Sequence, residues 1–176
     1  MNDRTSPDDA GVTLVELIVY IAVSALVAGL MATMFAIGIT SQSATKERDT
    51  LTGKAQTVSD LLTYSMRNAT AFRVDGTVLR ARVATGTTSF ECRAWDVTGG
   101  QIRYTASAAS IAIPSTSSWS VLATGATGTL ASGAPFAVTG KRLSFGITIS
   151  AGGTAVPLSG GVAAQATSEG AGSSCW

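Results

Sequence analysis

Apolar and polar positions fall into three regimes along the chain. Between Glu16 and Lys46 no charged residue occurs, and Leu17 to Ile39 reads LIVYIAVSALVAGLMATMFAIGI, apolar on every helical face. At about 1.5 Å per residue this stretch spans roughly 35 Å, enough to cross a hydrocarbon core of about 30 Å. A buried helix of a soluble domain would show one apolar stripe, and a cleaved secretory signal has an apolar region of only about 7–15 residues. The pattern predicts a membrane-spanning helix. Leu51, Ala55, Val58, Leu62 and Ala69 then recur at helical spacing, with Lys46, Arg48, Asp49, Lys54, Asp60 and Arg67 between them. One long helix from about Val12 to about Asn68 is the simplest reading, with a kink near Gly53 as the alternative.

After Asn68 the period shortens to that of strands and turns. Phe72–Val74 and Val78–Val83 flank Asp75-Gly76, and Phe90–Val97 and Gln101–Thr105 flank Thr98-Gly99-Gly100, so two hairpins are predicted. Leu143, Phe145, Ile147 and Ile149 alternate with Arg142, Ser144, Gly146 and Thr148 as a half-buried strand, and a weaker strand follows around Ala155–Leu158. From Tyr104 to Gly140 there is no charge and little but Ser, Thr, Ala and Gly, which predicts a long variable loop over 106–140 with one strand near Ser118–Leu122. An antiparallel sheet lying on the second half of the helix would bury both apolar faces, an α+β arrangement.

Composition narrows the chemistry. The 176 residues are 45% apolar and 13% charged, and none is histidine. The commonest general base and the commonest metal ligand are therefore missing, and two cysteines alone do not build a zinc site. Asp75, Glu91, Asp96 and Glu169 are too dispersed to suggest a catalytic carboxylate pair or a calcium loop. The chain reads as a non-enzyme that needs no cofactor.

The junction before the apolar run is Gly11-Val12-Thr13-Leu14-Val15-Glu16-Leu17. It resembles the signal of type IV prepilins and type II secretion pseudopilins, usually written G-F-T-L-x-E-L. The resemblance implies cleavage by a prepilin peptidase after Gly11, N-methylation of Val12, and an assembly role for Glu16. Physical chemistry agrees with those roles. Glycine leaves the backbone open for a peptidase, and a carboxylate in a membrane helix is costly enough to mark function. The amine created at Val12 would complement Glu16, within one chain or between neighbours. Val12 stands where phenylalanine is usual, and the leader holds one arginine and three aspartates in place of a basic run.

Four segments follow from this reading: a leader over 1–11, an apolar membrane and filament-core helix over 12–40, its amphipathic second half over 41–69, and an exported β-rich domain over 70–176. The resemblance further implies a pilin-like fold and partnership with other pilins or pseudopilins through helix packing. It also implies residence in the cytoplasmic membrane before assembly and on the cell surface afterwards. Counting cations alone, Arg4 before the span against Lys46, Arg48 and Lys54 after it places the C-terminal side inside; the resemblance implies export. In an oxidising exterior Cys92 and Cys175 favour one disulfide. Loss of the leader leaves 11 basic and 8 acidic residues, a net charge of +3. Arg73, Arg80, Arg82, Arg93, Arg103, Lys141 and Arg142 could form a DNA-contacting stripe, although solvated strand faces explain them more simply. A minor pilin or pseudopilin is the favoured role. A major pilin, or a signal-anchored adhesin or DNA-binding protein that never polymerises, is the alternative.

Overall fold

The computed structural model describes residues 13–86, 89–113, 116–165 and 175–176. The chain divides into two compact units, the first ending at Thr45 and the second running from Lys46 to Trp176. Helix α1 runs without interruption from Leu14 to Arg67, through Gly53.

The first unit is helical throughout its described part after Thr13, and every side chain there is exposed. Leu14 is 75% exposed, Met34 73% and Phe35 71%, on different faces, so no side of this part of the helix has an apolar partner among the described residues.

In the second unit α1 buries Leu51, Ala55, Val58, Leu62, Ser65 and Met66, the row that its helical spacing predicts. Arg67 stands in the last turn, where a cation complements the helix dipole. Asn68 then ends the helix, its Nδ2 donating to the Tyr64 carbonyl at 2.9 Å. Among the described residues nine strands follow: β1 Ala69–Asp75, β2 Val78–Ala84, β3 Phe90–Thr98, β4 Gln101–Ser107, β5 Ser120–Thr124, β6 Ala126–Gly128, β7 Phe136–Thr139, β8 Arg142–Ala151 and β9 Thr154–Ala163. They form two antiparallel sheets rather than one. The first has the order β1-β2-β3-β4-β5, and in the second β8 pairs with β6 and β7 along one side and with β9 along the other.

Both predicted hairpins form, as β1–β2 and β3–β4. Gly99 and Gly100, with φ of +56° and +72°, make the tight two-residue turn of the second, a geometry that glycine adopts without a Cβ penalty. Strand β8 and the turn into β9 also lie where the alternation places them.

The segment over 106–140 is not the long loop its composition suggests. It supplies β5, β6 and β7, and the strand expected at Ser118–Leu122 lies at Ser120–Thr124. Ala123, Ala126 and Phe136 are the buried residues of these three strands, and only the last is large. Small side chains give a weak alternation signal, so pairing with β4 and β8 creates strands that the local pattern does not announce.

One core joins the helix row to both sheets: Val58, Leu62 and Met66 pack with Leu79, Trp95 and Ile102 of the first sheet and Leu143, Ile147 and Ile149 of the second. Side chains alternate across a strand, so Val78, Cys92 and Ala94 point the other way and form a second cluster with Ile111, Trp119 and Cys175.

The corner between the sheets sits at Gly125, with φ +74°. A Cβ there would run into the Ser150 carbonyl oxygen, while Ser150 N–H donates to the Gly125 carbonyl at 2.9 Å. Gly125→Ala is therefore expected to lower the unfolding free energy by about 2–4 kcal/mol, combining left-handed backbone cost with displaced chain. Gly153 also has positive φ, but open space surrounds its Cβ position. Gly153→Ala should cost only about 1–2 kcal/mol. Denaturant unfolding of the full chain in detergent measures both, and equal losses would refute the steric part of the argument.

Candidate functional site

Thr13 is the residue just before α1. Its Oγ1 accepts the Glu16 backbone N–H at 3.3 Å, and its carbonyl accepts Leu17 N–H at 3.1 Å, the first turn of the helix. Threonine followed three residues later by glutamate is a capping pair: the hydroxyl satisfies one of the four orphan N–H groups that every helix start leaves. The Glu16 carboxylate belongs to this first turn, where the helix dipole favours negative charge. It is exposed, and no charged residue follows in the sequence until Lys46. Its side-chain contact is with Tyr20 one turn on, whose hydroxyl lies 3.4 Å from Oε1.

Polar side chains farther along α1 are satisfied inside the helix. Thr33 Oγ1 donates to the Leu30 carbonyl at 2.8 Å, Thr40 Oγ1 to the Ile37 carbonyl at 2.9 Å, and Ser43 Oγ to the Thr40 carbonyl at 2.8 Å. Hydrocarbon offers no hydrogen-bond partner, so hydroxyls folded back onto the helix suit an apolar surround. α1 is long and apolar enough to cross a membrane.

Gly11 and Val12, the expected cleavage and methylation positions, lie outside the described residues. Thr13 and Tyr20 were not singled out from the sequence. The T-x-x-E spacing marks the first, and a hydroxyl four residues after a carboxylate marks the second.

In the second unit Cys92 of β3 and Cys175 form a disulfide. Ile111 N–H donates to the Cys175 carbonyl at 3.1 Å, so the chain end and the segment around Ile111 are held together over the outer face of β2 and β3. The arginines are engaged locally. Arg73 and Arg80 both meet Asp75, at 2.7 and 2.6 Å, and Arg93 meets Glu91 at 2.8 Å. Arg93 Nη1 also donates to Ser65 Oγ at 2.9 Å, Arg103 donates to Gln101 Oε1, and the Arg82 guanidinium lies 3.8 Å from the centre of the Phe90 ring. Arg80, nearly buried, donates in addition to the Ile111 carbonyl. Its guanidinium, helped by that of Arg73, holds the Asp75 carboxyl below the usual carboxylate range against the opposing effect of desolvation. Burial pushes the Tyr104 hydroxyl the other way, upward. Among the described residues, no group of three or more His, Cys, Asp or Glu side chains could hold a metal ion.

Compared with known families, residues 7–32 match the prokaryotic N-terminal methylation motif, a span that contains Gly11, Val12, Glu16, Tyr20 and the first half of the apolar helix. No curated protein and no solved structure matches the chain.

Proposed function

We propose that this chain, which carries the type IV pilin and pseudopilin signature at residues 7–32, is a structural subunit of a type IV pilus or a type II secretion-like filament, most in keeping with a minor pilin or pseudopilin. On this reading a prepilin peptidase cuts after Gly11 and methylates Val12. The apolar half of α1 is solvated by lipid before assembly and by the helices of neighbouring subunits afterwards. The unit from Lys46 to Trp176 is exported and displayed on the filament, and its role is structural rather than catalytic.

The observation that carries the proposal is the union of the motif with the apolar first part of α1, whose residues find no cover among the described residues. Exposed apolar area on this scale is unstable in water and is stabilised by lipid or by other copies. Glu16 sits at the head of that helix, where an amine made at Val12 would be its nearest cation. The paired arginines of the second unit leave DNA contact as the lesser reading, since a phosphate would compete with Asp75 and Glu91 for them.

Mass spectrometry of the chain recovered from its native membrane or filament tests this. The expected product begins at Val12 and is heavier by one methyl group. A retained leader, or an unmethylated terminus elsewhere, removes the proposal. Counting copies per filament in the same preparation separates a minor from a major subunit.

A further inference from the structure

The geometry points to Tyr20 as a positioning residue: its hydroxyl holds the Glu16 carboxylate on one helix face until a neighbouring chain takes that carboxylate over. The inference rests on the filament-subunit reading and adds a residue to it.

Glu16 is the sole charged side chain on α1 before Lys46. Within helical reach, three or four residues to either side, the hydrogen-bonding side chains are those of Thr13 and Tyr20. The Thr13 hydroxyl meets the Glu16 backbone N–H, whereas the Tyr20 hydroxyl is the one that reaches the carboxylate. Residues four apart stack on one face. Ser24, a further four residues on, continues the same polar row. At the headgroup edge, where water solvates Oε1 incompletely, a phenol donor offsets part of the desolvation of the carboxylate.

The length of the contact fits a temporary partner. At 3.4 Å it is longer than the O–H···O optimum of about 2.7–2.8 Å, so the phenol orients the carboxylate without saturating it. A cation arriving from another chain would form a shorter, charge-assisted bond and displace it. Both residues are exposed, which keeps that handover open from outside the helix. Tyrosine suits the task because its ring is at home among apolar groups while its hydroxyl remains available.

Two measurements test the role of Tyr20. Infrared difference spectra of the full chain in phosphatidylethanolamine and phosphatidylglycerol vesicles, with and without Tyr20→Phe, should show a shifted carboxyl stretch. The same comparison in a Glu16→Gln background should show none. In cells, Tyr20→Phe should lower filament incorporation about threefold to tenfold beside intact Glu16, and less than about twofold in the Glu16→Gln background, because the lost interaction is already absent there. No infrared shift, or equal loss in both backgrounds, overturns the role of Tyr20 and leaves the filament reading standing. Full incorporation of Glu16→Gln itself overturns the handover and leaves the chain a filament subunit, whereas absence of the unsubstituted chain from filaments overturns the filament reading.

Discussion

Glu16→Leu is expected to leave the chain in the membrane and to cut its incorporation into filaments by at least about tenfold. The two effects separate because they depend on different properties of the residue. Insertion depends on summed apolarity, and exchanging a carboxylate for leucine near the head of the helix raises it. Assembly depends on pairing. On the proposed reading, the amine made at Val12 of one chain would leave water as helices pack, and with leucine at position 16 it would have no carboxylate to meet. Breaking a buried ion pair by removing one partner costs about 3–5 kcal/mol. A site at the headgroup edge is partly hydrated, so a smaller loss of about 1.4–3 kcal/mol is the safer expectation, and the lower end already corresponds to tenfold. Fractionation of membranes and sheared filaments, probed for this chain, measures both quantities. Normal incorporation of the leucine variant would show that apolar packing alone drives assembly, and absence of the unsubstituted chain from the filament fraction would favour an anchored protein that does not polymerise.

The parts of the fold legible in the sequence are those where local pattern and final environment coincide. Leu51, Ala55, Val58 and Leu62 repeat at helical spacing because one helix face meets a sheet, and burial follows that spacing. Leu143, Phe145, Ile147 and Ile149 alternate because β8 is the central strand of its sheet, with large residues turned to the core. Strands β5 to β7 were hidden for the converse reason. Their inward residues are mostly alanine; β5 and β6 take their strand character from pairing with β4 and β8 across long separations, and the short β7 joins β8 across the two-residue turn at Gly140 and Lys141. The split into two sheets was hidden too, since it turns on the corner at Gly125 and a glycine does not declare which of its permitted conformations is used.

At the functional segment the division is similar. A carboxylate standing alone before 29 uncharged residues is conspicuous in any reading of the sequence. The capping hydroxyl of Thr13 and the phenol of Tyr20 are common residues whose meaning lies in their offsets of three and four from Glu16, and those offsets acquire force once the helix is known to begin at Leu14. The arginines show the opposite case. A linear count allows a basic stripe as the lesser reading, and it does not reveal that alternation along the strands and a cross-strand neighbour bring Asp75 to Arg73 and Arg80 and Glu91 to Arg93.

Replacing both disulfide partners, as Cys92→Ala with Cys175→Ala, is expected to lower the unfolding free energy of the second unit by about 2–4 kcal/mol. The bond links residues 83 apart, and on the chain-entropy model so long a loop is worth about 4–5 kcal/mol; measured effects of comparable bonds run lower. Local packing adds to the loss. Among the described residues, the outer cluster around Cys92 contains Val78, Ala94, Ile111, Trp119 and Cys175 as buried apolar residues, with Ile113 and Trp176 beside it, a small apolar area to hold Cys175 and Trp176 without the bond. The helix-facing core has its own, larger set of contacts and should survive. Tryptophan emission distinguishes the two regions. Trp95 is fully buried in the main core, whereas Trp119 and Trp176 belong to the outer cluster. The double variant should therefore show a red-shifted emission component in the folded state, an unfolding midpoint lowered by roughly 6–16 °C, and hydrogen-exchange protection lost first around Ile111 and Val78. Unchanged emission and midpoint would mean that the Arg80 bond to the Ile111 carbonyl and the apolar contacts hold the outer cluster without the disulfide.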